Sequence, residues 1–236
     1  MDTRNLLLPA LAALLTGLVI AAPASSQEAQ GTSGQVKDAA VTKAPLGVPL
    51  MFSVEGLTKH NIEKVTRSLT SLTETVYVCS GCKHVGAKAG KCIPCGVELE
   101  TKKEPILFKA VPSFDKASIQ VTPFAARTLS YSDIEGALTK NSIEIDDAKF
   151  PLAGESRLVL RGGSSENVKA IEKALIASEF FDSAKASYDA ASTEIRVEVH
   201  AIATPPMRDE VAAVIEALDT KATLVDVIWG PIPAKS

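Results

Sequence analysis

The C-terminal half of the chain shows the clearest alternation of apolar and polar positions. Ser156 to Leu160 (SRLVL) reads as a short strand, and Gly162-Gly163-Ser164 turns out of it. From Ser165 and Glu166 the period becomes helical, with Val168, Ile171, Ala174, Leu175 and Phe180 on one face. Ala184 to Tyr188 is a second strand. Glu194 to His200 (EIRVEVH) is a third, with Ile195, Val197 and Val199 pointing inward and Arg196, Glu198 and His200 outward. Pro205-Pro206 opens a second helix, on which Val211, Val214, Ile215 and Leu218 share a face. Leu224 to Trp229 closes the series as a strand, stopped by Gly230 and Pro231.

The N-terminal half repeats the pattern. Leu50 to Val54 is a strand, Gly56-Leu57-Thr58 a turn, and His60 to Leu72 a helix facing inward through Ile62, Val65, Leu69 and Leu72. Ile106 to Ala110 and Ser118 to Thr122 read as paired strands, Tyr131 to Leu138 as a helix, and Ile143 to Ile145 as the closing strand. The order βαββαβ, twice, is the split-βαβ or ferredoxin-like unit. The expected fold class is α+β: tandem ferredoxin-like sandwiches spanning 47–147 and 154–232. The first carries a cysteine-rich, zinc-ribbon-like insertion at 75–104.

The chain ahead of residue 47 has no such pattern. Leu6 to Ala22 is almost wholly apolar behind Asp2 and Arg4, and Ala22-Pro23-Ala24 is a small-x-small site. Residues 1–24 therefore read as a cleaved secretory signal peptide, with a retained membrane anchor as the competing reading. Residues 25–46, rich in Ser, Gln, Ala, Gly and Thr, read as a flexible tail. The expected location is periplasmic or secreted, with no membrane association beyond the export signal. A formal net charge of −3 and 5% aromatics argue against a nucleic-acid partner.

All four cysteines fall within 17 residues, as Cys79-Ser-Gly-Cys82 and Cys92-Ile-Pro-Cys95 with nine residues between. Two intervening residues let a tight turn aim both sulfurs at one point, and two such turns build a tetrahedral sulfur cage with metal–sulfur distances of ~2.3 Å for zinc. Lys83, Lys88 and Lys91 surround the cluster, and no Asp or Glu lies between Cys79 and Cys95. They offset the charge of −2 that four thiolates and Zn2+ leave. The expected ligands are Cys79, Cys82, Cys92 and Cys95, and the expected metal is Zn2+. Iron uses similar loops, and an exported chain with an even cysteine count also forms disulfides. His84 reads as exposed, a donor behind the ligands or a fifth ligand. His60 reads as a solvated residue of the first helical turn or a replacement ligand.

Two family resemblances follow. Around Gly56, Leu57, Thr58, Lys59 and Ile62, and again around Gly162, Gly163, Ser164, Ser165 and Val168, each half is similar to the heavy-metal-associated domain, the βαββαβ module of copper chaperones and metal-pumping ATPases. That family binds soft metal through two cysteines in this loop, and both copies here lack them. The resemblance therefore implies the fold but not metal transfer at these loops. Tyr77-Val78-Cys79 and Gly90-Lys91-Cys92-Ile93-Pro94-Cys95-Gly96-Val97-Glu98-Leu99 resemble the short heavy-metal-binding domain of efflux adaptors and some metal-pumping ATPases. Cys79, Cys92 and Cys95 fall on that family's cysteines, and Cys82 on its histidine. Gly81 and Val97 replace its methionines, which shifts the implied metal from copper or silver towards zinc.

No nucleophile elbow, zinc-protease helix, P-loop or dinucleotide fingerprint occurs, and the three histidines, His60, His84 and His200, are scattered. Gly162-Gly163 ahead of a helix serves a tight turn or cradles an anion. The expected function is non-enzymatic: an exported metal-binding protein with a metal-handling or protein-interaction role and an extracytoplasmic protein partner. The alternatives are a scaffold stapled by zinc or by two disulfides, and an extracytoplasmic thiol–disulfide oxidoreductase.

Overall fold

The structure is a computed structural model that describes residues 45–86 and 88–231. The expected signal peptide and all but the last two residues of the expected tail lie outside them. The chain is mixed α+β with antiparallel sheets. Its first sheet has the order β5-β6-β1-β8, from β1 (Leu50–Glu55), β5 (Leu107–Ser113), β6 (Ser118–Pro123) and β8 (Glu144–Ile145). Helices α1 (Ile62–Thr70) and α2 (Tyr131–Thr139) connect these strands. A second sheet has the order β10-β11-β9-β12-β7, from β9 (Glu155–Arg161), β10 (Phe181–Asp189), β11 (Glu194–Ala201), β12 (Thr223–Trp229) and β7 (Leu129–Ser130). Helices α3 (Val168–Ala177) and α4 (Arg208–Glu216) serve it.

Alternation sets which strand face is buried. Leu50, Phe52 and Val54 of β1 point into the core, as do Ile195, Val197 and Val199 of β11. The helices close over these faces with Val65 and Leu69, Ile134 and Leu138, Ile171 and Leu175, and Val211 and Ile215. The loop into each first helix is locked in the same way. The Thr58 N–H donates to Asn61 Oδ1 (2.8 Å), and the Ser164 N–H donates to Asn167 Oδ1 (2.7 Å).

Equivalent positions keep a fixed offset. Gly56 and Gly162 lie 106 residues apart, and both sit in the left-handed region, at φ 81° and 90°. A Cβ at Gly56 would lie 2.6 Å from the Ser142 carbonyl oxygen, and one at Gly162 would crowd the Lys221 carbonyl, so neither can be replaced cheaply. Val65 and Ile171 share the 106-residue offset. At the hairpins before β6 and β11, Ala117 and Thr193, both with positive φ, are only 76 apart. The offset shortens by 30 residues across the segment between α1 and β5, where the sequence reading expects the insertion at 75–104. That segment forms a sheet of its own, β3-β2-β4, from β2 (Thr73–Val78), β3 (Val85–Gly86) and β4 (Glu100–Pro105).

The two large sheets share one continuous apolar core. At their junction Phe150, fully buried, packs against Phe52 (ring centroids 5.0 Å apart), Tyr131 (5.0 Å) and Trp229 (5.6 Å). Arg208 stacks 4.1 Å over the Tyr131 ring and pairs with Asp147, which accepts a hydrogen bond from the Tyr131 hydroxyl (2.7 Å). Burial and the Asp147 carboxylate together hold the Tyr131 phenol well above its ordinary range. Strand β7, not anticipated from sequence, pairs Leu129 with Trp229 and Ser130 with Ile228.

Candidate metal centre

The insert presents two turns built alike. In the first, the Cys79 N–H donates to the His84 carbonyl (2.8 Å) and the Lys83 N–H to the Cys79 carbonyl (3.0 Å). In the second, the Cys92 N–H donates to the Val97 carbonyl (2.8 Å) and the Gly96 N–H to the Cys92 carbonyl (2.7 Å). The residue after each second cysteine turns the chain back in the left-handed region, Lys83 at φ 60° and Gly96 at φ 69°. A Cβ at Gly81 would sit at ordinary contact distance, 3.8 Å from the Cys79 sulfur and 3.9 Å from that of Cys95.

Together the turns bring all four sulfurs within 4.8 Å of one another, with Cys82 and Cys92 at 3.5 Å. A tetrahedron with metal–sulfur distances of ~2.3 Å has edges of about 3.8 Å, so the cage fits a four-coordinate ion. The four cysteines are free thiols. Within each turn the first cysteine is buried (Cys79 0% and Cys92 1% exposed) and the second, Cys82 or Cys95, faces solvent.

The electrostatics divide the cysteines differently. The Cys82 N–H, helped by that of Gly81, lowers the Cys79 thiol to about 7 against the opposing effect of burial. Burial pushes the Cys92 thiol up. Hydrogen bonding to Cys82 leads the causes that raise Cys95 to about 12, followed by burial and the Cys79 sulfur. Cys79 is thus the more readily ionised of these three thiols, and Cys92 and Cys95 hold their protons more tightly.

All four sequence-predicted ligands converge. The His84 ring is not among the converging groups, and the residue instead lends its backbone carbonyl to Cys79 and lies exposed. His60 is exposed in the loop before α1, and His200 pairs with Asp182 (2.9 Å) on β11 and β10, away from the insert. At Gly162-Gly163 the following Ser164 N–H is taken by Asn167, and the pair serves the turn. Lys83, Lys88 and Lys91 are exposed around the cluster.

Sequence reasoning missed what holds the insert to the body. Arg127 reaches from the loop before β7 to Glu74 on β2 (3.2 Å) and to Glu104 on β4, and Glu74 also accepts the Thr128 N–H (3.2 Å). The partners are 53 and 23 residues from Arg127, and no local pattern marks them.

Scans of family models, of curated proteins and of solved structures return no match to this chain. The four cysteines are positioned to hold a metal ion, an arrangement consistent with a metal-binding role. Among the described residues no helix is long and apolar enough to cross a membrane.

Proposed function

We propose that the chain is an exported, non-enzymatic zinc-binding protein. It pairs two ferredoxin-like units with a zinc-ribbon-like insert, and it works in metal handling or protein interaction in the periplasm or outside the cell. The observation that carries this reading is the convergence of the Cys79, Cys82, Cys92 and Cys95 sulfurs. Sulfur-only coordination by two like turns favours zinc over the harder divalent ions. The sheet orders β5-β6-β1-β8 and β10-β11-β9-β12, each read as second-third-first-fourth strand of a βαββαβ chain, support the ferredoxin-like reading. Support for export is the apolar leader with its Ala22-Pro23-Ala24 site.

Bound zinc would supply a fixed charge that cross-links two turns with almost no core of their own. Val85, Val97 and Ile93 (93% exposed) all face solvent, and only Val76 and Val78 are buried beside Cys79 and Cys92, so apolar burial contributes little to folding the insert. Metal binding, at ~10–16 kcal/mol of apparent free energy, is ample for a segment of this size. That observation also favours the scaffold reading, in which the metal only fixes the insert.

Native mass spectrometry of protein recovered from the oxidising compartment, with metal analysis and thiol counting on the same sample, tests the proposal. One zinc and four protectable thiols are expected. A metal-free chain lighter by four hydrogens means two disulfides and ends the zinc reading. With zinc present, transfer to a competing metalloprotein separates the roles: exchange within minutes supports handling, and retention for days supports the scaffold.

A further inference from the structure

The four sulfurs of the cage are not equally open to attack. Cys82 and Cys95 face solvent, while Cys79 and Cys92 are buried. The exposed Cys82 sulfur also touches the buried Cys92 sulfur of the other turn, at 3.5 Å. Coordination to a metal keeps such sulfurs as thiolates, which are the nucleophilic form. An exposed thiolate with a second sulfur in contact is the arrangement that oxidises reversibly, because the partner captures the first product before it is oxidised further.

The choice of partner sulfur decides what oxidation does to the insert. With Val85, Ile93 and Val97 exposed, the two turns depend on a cross-link between them. A bond from Cys82 to Cys92 supplies one, since it joins the first turn to the second, and closing it needs a shift of about 1.5 Å. A Cys79–Cys82 or Cys92–Cys95 bond bridges a turn to itself and leaves the two turns unlinked. Such short loops are also strained as structural disulfides.

We infer that the cage is a redox-gated metal holder: a hydroperoxide oxidises Cys82, Cys92 captures the product, and the disulfide between them releases the metal while keeping the two turns joined. This rests on the metal-binding reading of the same four cysteines. In the first step the Cys82 thiolate attacks a peroxide oxygen. The S–O bond forms, the O–O bond breaks, and a sulfenic acid and a hydroxide result. In the second the Cys92 thiolate attacks the Cys82 sulfur. The S–S bond forms, the S–O bond breaks, and a second hydroxide leaves. Two protons from solvent convert the two hydroxides to water, and the two thiolates have passed two electrons to the peroxide. The cage keeps only Cys79 and Cys95, half of a four-coordinate set, and lets the metal go. Metal and disulfide, alternatives at the level of sequence, become two states of one site.

The test uses the full chain, reduced, loaded with zinc and treated with hydrogen peroxide beside a chromophoric zinc indicator. The expected result is loss of the bound zinc together with a mass lower by two hydrogens. Peptide mapping should place the bond between Cys82 and Cys92, and a dithiol should reverse it and restore zinc uptake. Amide exchange supplies the second readout. Protection across 79–99 should survive oxidation, whereas it is lost when a chelator strips the zinc and the thiols stay reduced. A reduced chain that takes up no zinc overturns the metal reading and this inference with it. If zinc loads normally, four outcomes overturn this inference alone: zinc retained under peroxide, a bond within either turn, irreversible oxidation to sulfinic acid, or protection across 79–99 lost as fully as with the chelator.

Discussion

Lys83 and Gly96 occupy the same place in the two cysteine turns, and both adopt the left-handed backbone. A side chain there costs ~1–2 kcal/mol that glycine avoids. Nothing lies within 4 Å of a Cβ at Gly96, so its substitution acts through the backbone alone. Gly96→Ala should therefore weaken metal retention about tenfold, measured by competition with a chromophoric chelator. The cysteines themselves should divide by burial. Cys79→Ser or Cys92→Ser removes an anchored, buried sulfur and should abolish binding. Cys82→Ser or Cys95→Ser opens a solvent-facing position that water can fill, leaving weaker, faster-exchanging metal. Equal metal loss in all four variants would contradict this division. Protonation follows from the same geometry. Cys92 is shifted up and Cys95 lies near 12, so both carry protons at neutral pH in the metal-free cluster. Metal entry must expel at least these two, so apparent affinity should rise by at least about a hundredfold per pH unit around neutrality and fall with acid. A pH-independent competition titration would show that the thiols are already ionised.

At the scale of elements, the insert hangs on Arg127. Its side chain is 16% exposed and bridges Glu74 and Glu104, which face each other across β2 and β4 at one end of their ladder. Arg127→Ala leaves two neighbouring carboxylates without their cation. At this partial burial the cost should be ~1–2 kcal/mol, seen as faster amide exchange in 73–78 and 100–105 than in β1 or β9. Chelating the metal should have a separate signature: loss of protection across 79–99 with the two large sheets unchanged. The strands and helices of those sheets were legible because each has a one-sided apolar face, as EIRVEVH has on β11. The cysteine site was legible because its ligands are close in sequence and chemically distinctive. Strand β4 (ETKKEP) was not, because no residue on it is buried and it exists only by pairing with β2. Nor was β7, whose two residues are strand only because Ile228 and Trp229 lie beside them. Both are products of tertiary pairing, which no local period records.

At the scale of the whole molecule, the decisive feature is that the two sheets do not own separate cores. Phe150 sits between them against Phe52 of β1, Tyr131 of α2 and Trp229 of β12, while the Tyr131–Asp147–Arg208 cluster closes the same seam. Sequence reading finds each half because its pattern is local. It cannot find the seam, whose members lie up to 177 residues apart, from Phe52 to Trp229. Removing the Phe150 ring leaves a cavity touching both sheets, and Phe150→Ala should cost ~3–5 kcal/mol. Because the void is shared, the loss should fall on both halves at once. The chain's one tryptophan, Trp229, reports the seam directly, and far-UV circular dichroism reports both sheets. In denaturant the two signals should move through one coincident transition in the parent and shift together in the variant. If tryptophan emission in Phe150→Ala changed well before the circular dichroism, the seam would be opening while each sheet stayed folded. The halves would then be independent units that merely touch at Phe150, and a single shared core would be the wrong description of how this chain is stabilised.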